Sequence, residues 1–257
     1  MIVLTVLALP GCSGPRLSTN EASYAAPLPP RTAAGENARR IVVERASVVI
    51  VAARESVEDW ANQRVARNVG SGGIDGGSAA PITADGYFLT AAHVVARAGK
   101  GRNVFVIYGL AGKPRTAKAR IVWSSESGDL ALLHAPIATP LYYRWSPPNK
   151  ALPEGTWVMH GGVTTSRESA PGKLTSGLAA EGRFTGTRRF KLDIPLRPGD
   201  SGGPVVDLRG QLIGVNSAVV YLVPMETAFF VDSEANRPSI RALAEIIRRD
   251  RERKNPG

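Results

Sequence analysis

The chain has 257 residues, 43% of them hydrophobic, with 27 glycines and a formal net charge of +10. That length holds one large domain or two small ones with an ample core, and the composition fits a globular, loop-rich protein rather than a disordered chain or a membrane bundle. The positive charge favours anionic surroundings, yet the basic residues are scattered outside the C-terminal tail and form no recognised nucleic-acid module, so nucleic acid is not an expected partner.

The one cysteine, Cys12, rules out an intrachain disulfide and the disulfide framework usual in secreted animal proteins. It follows an apolar run, Met1 to Leu9, and small residues, the pattern a signal peptidase reads. Leu9-Pro10-Gly11-Cys12 resembles a bacterial lipobox, which implies a signal segment over 1–12 and a lipidated Cys12 anchoring an extracytoplasmic protein to a membrane. Plain secretion and a cytoplasmic chain with an apolar N-terminus are the alternatives. No other segment approaches the ~20 apolar residues of a membrane span. Residues 13–38, rich in Ser, Ala, Pro and Gly, read as a flexible linker.

The folded part is expected from 39 onward. Ser47–Ala52 is short and β-branched, a strand signal. Around Trp60 and Val65 the pattern fits either a short helix or an elaborated loop, and the glycine-dense stretch Gly70 to Gly77 reads as a flexible connection. Ala79 to Ile82, a turn at Asp85-Gly86 and Tyr87 to Thr90 form a hairpin signal. Further strands are expected at Val104–Tyr108, Thr116–Trp123 and Leu130–Leu133. Pro136 and Pro140 flank a domain boundary, so that 39–137 and 138–257 form two units. The second unit has strand signals at Leu141–Trp145, Thr156–His160, Leu174–Ala180, Phe190–Ile194, Pro204–Leu208, Gln211–Val220 and Ala228–Val231. Many short strands at this spacing predict an all-β fold of barrels. Pro238-Ser239 then opens a C-terminal helix with the apolar stripe Ile240, Leu243, Ile246 and Ile247. Its cations, Arg248, Arg249, Arg251, Arg253 and Lys254, read first as a solvated face near a helix C-terminus, and second as a contact for anionic lipid.

The chemistry concentrates in Arg197-Pro198-Gly199-Asp200-Ser201-Gly202-Gly203-Pro204. A serine hydroxyl is a poor nucleophile at neutral pH and needs an adjacent base and a site for the oxyanion it creates. Gly199 permits a tight turn that aims the N–H groups of Gly199 and Ser201 at one spot, and Gly202 and Gly203 remove side chains that would crowd a carbonyl. A glycine-rich turn with an incidental serine is the bland alternative. Of the three histidines, His134 sits in an apolar run and His160 at a strand end before Gly161-Gly162, both suited to structural roles. His93 stands at a strand–loop junction among small residues and is the candidate base. Asp129, at the mouth of the apolar run Leu130-Ala131-Leu132-Leu133, is the candidate third member, since an unpartnered acid there would be costly to bury.

Leu89-Thr90-Ala91-Ala92-His93-Val94-Val95, Gly128-Asp129-Leu130-Ala131-Leu132-Leu133 and Gly199-Asp200-Ser201-Gly202-Gly203-Pro204 resemble the three blocks of trypsin-like serine peptidases, in the His, Asp, Ser order of the chymotrypsin fold. The resemblance implies two six-stranded antiparallel β-barrels with a C-terminal α-helix, His93 and Asp129 coming from the first barrel and Ser201 from the second. It also implies a serine endopeptidase that acts on protein or peptide substrates without metal or cofactor. Val206-Asp207-Leu208-Arg209-Gly210-Gln211-Leu212-Ile213-Gly214-Val215-Asn216-Ser217-Ala218 looks more like the bacterial HtrA/Deg peptidases than animal trypsins. Those usually carry a PDZ domain after the protease domain; this chain has no room for one, which suggests a stand-alone domain.

By the same alignment Pro195 takes the place of the acid that gives trypsins their preference for Arg or Lys. Ser217, Ala218 and Val219 fall on the substrate-binding segment, with Ala218 and branched Val219 where trypsins have glycine, so cleavage after small aliphatic residues is expected. Arg40-Ile41-Val42 faintly resembles a trypsin activation site, in which a new Ile N-terminus pairs with the acid before the nucleophile, here Asp200. A catalytically silent binding or chaperone-like module and an esterase-like hydrolase are the competing functions.

Overall fold

The computed structural model describes residues 32–53, 75–99, 101–164, 170–182, 186–222 and 229–254. The signal segment with Cys12, most of the expected linker and the ambiguous stretch around Trp60 and Val65 lie outside the described residues. Strands β1 (Ser47–Ala52), β2 (Asp75–Pro81), β3 (Tyr87–Thr90), β4 (Asn103–Tyr108), β5 (Arg115–Ser125) and β6 (Leu130–His134) close an antiparallel barrel in the order β1-β2-β3-β6-β5-β4. All six residues of β1 are buried. Their alternation explains this: Val49 and Val51 fill the barrel with Phe88, Val106 and Leu133, while Val48, Ile50 and Ala52 join Phe105 and Ile107 in a second cluster. At the Asp85-Gly86 turn Gly86 has φ +88°, and a Cβ there would meet the Ala135 carbonyl at 2.0 Å, so the turn requires glycine.

The second unit contains β7 (Trp157–His160), β8 (Ala170–Lys173), β9 (Arg188–Leu192), β10 (Pro204–Asp207), β11 (Leu212–Leu222) and β12 (Phe229–Arg237). They form an antiparallel sheet in the order β8-β7-β10-β11-β12-β9, and a bridge between Leu174 and Leu192 brings its edges together. Val158, Phe190, Leu192, Val205 and Ile213 fill its interior. A fourth cluster, with Leu89, Leu130 and Leu132 from one unit and Met159, Val206 and Val215 from the other, packs the two together. The architecture is therefore all-β, two six-stranded barrel-like units with a C-terminal helix.

Four expectations are corrected. Residues 33–38 are not linker: they open helix α1 (Ala33–Glu44), capped by the Thr32 hydroxyl, which accepts the Gly35 N–H at 3.1 Å, and held by buried Ala38 and Val42. The glycine-dense connection ends early, because Asp75 to Gly77 already pair with β1. Leu141–Trp145 is a crossing segment with a single bridge at Trp145; Tyr143 is buried between the units while Leu141 is 45% exposed. Leu174–Ala180 likewise makes only isolated bridges, at Leu174 and Leu178.

The C-terminal helix α3 (Ile240–Lys254) buries Leu243 and Ile247 against the inter-unit cluster. The Ser239 hydroxyl accepts the Ala242 N–H and donates to buried Glu181, whose carboxylate also accepts the Ile240 N–H, so the first turn is doubly capped. Arg248 and Arg249 pair with Glu245, and Arg251 with Asp85, which fits the solvated-face reading of this tail. Among the described residues no helix is long and apolar enough to cross a membrane.

Candidate active site

Strand β3 ends at Thr90, and the chain turns directly into the single-turn helix α2 (Ala92–Val95), which carries His93 at the edge of the first barrel. Asp129 ends the turn before β6. It has φ +42°, a left-handed conformation that an aspartate tolerates better than a bulkier residue would. Pairing of β3 with β6, Thr90 opposite Ala131, brings the two residues together. Asp129 Oδ2 lies 2.9 Å from His93 Nδ1, and Oδ1 accepts the backbone N–H of His93 at 3.0 Å. One carboxylate thus fixes both the ring and the backbone of the histidine. From the other unit, the Ser217 hydroxyl on β11 donates to Asp129 Oδ2. Burial pushes the Asp129 carboxyl up, but the His93 and Ser217 hydrogen bonds outweigh it and hold the group below its ordinary range.

Ser201 lies in the loop that leads into β10. That loop is docked on the first barrel: Ser78 N–H donates to Ser201 O at 2.8 Å, and the Ser78 hydroxyl donates to Gly199 O at 2.7 Å. Gly202, at φ +81°, passes so close that a Cβ would meet Thr90 Oγ1 at 2.2 Å and Ser78 O at 2.3 Å. The loop therefore abuts the strand that delivers His93. Gly199, at φ +98°, makes the turn the sequence required. Among the described residues the N–H groups of Gly199 and Ser201 have no hydrogen-bond acceptor, and Ser201 makes no hydrogen bond to His93.

The expected substrate-binding positions are less uniform. Pro195 is exposed, and it is Leu196 that is buried. The Ser217 hydroxyl turns to Asp129 rather than to a pocket, a role sequence reading missed because the contact joins strands of different units. Ala218 is half-buried, and the Val219 side chain lies outside the described residues. A cleft lined by Trp123, Ser127, Gly128, Thr187, Ala242 and Ile246 reaches the turn before Asp129 but includes neither His93 nor Ser201. Helix α1 runs through Arg40-Ile41-Val42, and Asp200 takes its partners elsewhere, from the N–H groups of Thr164 and Arg197. No cluster of metal-ligating side chains occurs among the described residues.

A family model described as the trypsin-like peptidase domain matches residues 77–215. The chain is 29% identical over 187 residues to a probable periplasmic serine endoprotease, DegP-like, of Pseudomonas fluorescens, covering 67% of this chain and 36% of that protein. It is 32% identical over 150 residues to the protein of the same description from Brucella suis, covering 56% and 27%. The chain thus spans between about a quarter and little more than a third of the length of these relatives. Among solved structures it is similar to the HtrA-type protease AlgW with decapeptide, at TM-score 0.57 and 20% identity over 82% of this chain and 66% of that one. AlgW with tripeptide gives 0.56 and 21%, over 82% and 61%. At these identities the likeness establishes the fold.

Proposed function

The chain belongs to the trypsin-like peptidases, and from that premise we propose that it is a serine endopeptidase with His93, Asp129 and Ser201 as its catalytic triad. The observation that carries the proposal is the double hold of the Asp129 carboxylate on His93, at Nδ1 and at the backbone N–H. With Nδ1–H committed to Asp129, the lone pair of Nε2 is left to take the Ser201 proton as the hydroxyl attacks a peptide carbonyl. The imidazolium so formed is stabilised by Asp129 and returns the proton to the leaving amine. Water then repeats the sequence on the acyl-enzyme. The N–H groups of Gly199 and Ser201 are the oxyanion donors, each worth roughly 3–4 kcal/mol in sites of this kind.

The substrates are proteins or peptides cut after small aliphatic residues. Pro195 in place of an acid supports this, as do Ala218 and Val219 where trypsins have glycine. The chain is exported and anchored through lipidated Cys12; the lipobox-like Leu9-Pro10-Gly11-Cys12 and the word periplasmic in the names of its relatives support this reading. Cys12→Ser is expected to release it from the membrane fraction.

The lack of a hydrogen bond between Ser201 and His93 favours a second reading, a silent module that keeps the fold for binding. Fluorophosphonate labelling of wild type and Ser201→Ala, with the adduct located by mass spectrometry, separates the two. Adduct at Ser201 alone supports the peptidase, and peptide-library profiling then tests the small-aliphatic preference. Folded wild type that takes no label, with or without peptide, sinks it in favour of the silent module.

A further inference from the structure

Beneath the Ser201 loop lies a pair of fully buried ionisable residues that the proposed mechanism does not use: Asp200, and His160 at the end of β7. His160 Nε2 stands 3.6 Å from Asp200 Oδ2. The carboxylate also accepts the N–H of Thr164 at 3.2 Å on Oδ1 and that of Arg197 at 3.0 Å on Oδ2. At the other side of the ring, Nδ1 meets the side-chain amide of buried Asn216, whose Nδ2 also reaches the Gly203 carbonyl at 3.3 Å. A carbonyl only accepts, so Asn216 turns its NH2 toward Gly203 and gives its second hydrogen to Nδ1. The Nδ1 lone pair is thereby occupied, and the ring proton sits on Nε2, facing Asp200.

The surrounding backbone leaves little freedom. A Cβ at Gly162 would come within 2.3 Å of Asp200 Oδ1, and one at Gly203 within 2.1 Å of Gly161 O. Asn216 exchanges backbone hydrogen bonds with the loop: its N–H donates to Gly203 O at 2.9 Å, and its carbonyl accepts the Gly202 N–H at 2.8 Å. Gly203 N–H in turn donates to Asp200 O at 2.9 Å. One buried network therefore connects β7, β11 and both sides of Ser201.

We propose that His160 is a positioning residue for the nucleophile loop. Held as the neutral Nε2–H tautomer by Asn216, it directs its proton at Asp200, and Asp200 sets the turn in which Gly199 and Ser201 present their N–H groups. At 3.6 Å the two groups interact electrostatically rather than through a hydrogen bond, and a buried carboxylate that loses the polar group facing it is penalised, so the loop geometry depends on the histidine. The inference rests on the reading of Ser201 as a nucleophile, and its test keeps the two apart.

Fluorophosphonate labelling rates at Ser201 are measured for wild type, His160→Leu, His160→Gln, Asp200→Asn and the double variant His160→Leu/Asp200→Asn, with thermal unfolding of each. His160→Leu is expected to label on the order of tenfold more slowly, since it places an apolar group against a buried carboxylate. His160→Gln, which returns a donor near the Nε2 position, recovers most of that rate. In the Asp200→Asn background His160→Leu adds little, because the group it acts through is gone. Wild-type labelling by folded His160→Leu, or an equal loss in both backgrounds, overturns the proposal. The 15N shifts of the wild-type histidines, assigned by comparison with His160→Gln, read the pair without any activity or variant stability. A protonated Nε2 with an unprotonated Nδ1 at neutral pH supports the assignment, and an Nδ1–H tautomer or an imidazolium overturns it. Wild type that never labels refutes the nucleophile, while the histidine tautomer still decides the buried pair.

Discussion

The hydroxyl of Ser217, on the second β-unit, donates to Oδ2 of Asp129, at the mouth of β6 in the first barrel. This contact closes the acid end of the proposed triad across the junction between the units. Asp129 therefore accepts hydrogen bonds from the His93 ring, the His93 backbone and Ser217. A carboxylate so supplied is held below its ordinary range although burial alone pushes it up.

Ser217→Ala removes one donor from Asp129 without opening a large cavity. The expected result is a loss of about tenfold in kcat/KM, carried by kcat, since the hydroxyl acts on Asp129 and not on substrate. The measurement is steady-state cleavage of a peptide found by library profiling. A rise in KM at unchanged kcat would instead put the hydroxyl in the substrate pocket.

Gly202→Ala tests the docking of the nucleophile loop. The added Cβ would collide with Thr90 Oγ1 and Ser78 O at a residue with φ +81°, a conformation that also strains any L side chain. Both effects push the loop off the first barrel. Labelling of Ser201 is expected to vanish, with a stability loss of roughly 1–3 kcal/mol in urea denaturation.

Much of this arrangement is legible in the chain itself. The β-branched run Ser47–Ala52, the Asp85-Gly86 hairpin and the three motif blocks are local signals, and each maps onto β1, the β2–β3 turn or the His93, Asp129 and Ser201 neighbourhood. Helix α1 is not legible, because its buried face rests on Gly35, Ala38 and Val42, and small residues following a Ser-, Ala- and Pro-rich stretch read as a continuation of that linker. The strands expected at Leu141–Trp145 and Leu174–Ala180 show the opposite failure. Tyr143 is buried in the inter-unit cluster, and Leu174 and Leu178 in the second unit's interior, without ladder pairing. Contacts between distant segments, such as Ser217 with Asp129 or His160 with Asp200, are set by how the two units meet, and no local pattern announces them.

Asp129→Asn keeps a side chain that tolerates the left-handed backbone and loses the charge. An amide can present its NH2 to Nδ1 and favour the wrong tautomer of His93, so kcat is expected to fall about 10⁴-fold in peptide cleavage. The same variant reports on acid stability. The Asp129 carboxyl is held below its ordinary value of 3.8 in the folded protein. The stability this contributes is fully present above that value and is lost as pH falls through the lower, folded one. The difference in unfolding temperature between wild type and Asp129→Asn should therefore shrink as pH drops from about 5 to below 3.8. A difference that stays constant with pH would mean that the carboxylate gains nothing from its partners.

Tyr87 anchors the C-terminal helix from the first barrel. Its hydroxyl donates to Asp250 Oδ2 at 2.7 Å, and the Arg120 side chain meets the same carboxylate. Burial, followed by the bond to Asp250, pushes the phenol up to about 12. The stability tied to this shift is present below the ordinary value of 10 and is lost as pH rises from there toward the folded value. Tyr87→Phe removes both the hydrogen bond and the titrating group but leaves Asp250 paired with Arg120. It is expected to cost about 1–2 kcal/mol near neutral pH and to flatten the fall of stability above pH 10, both read by urea denaturation. The ultraviolet difference titration of wild type against Tyr87→Phe should place one phenol near 12. A difference curve centred at 10 would mean that helix α3 does not hold Asp250 against the barrel in solution.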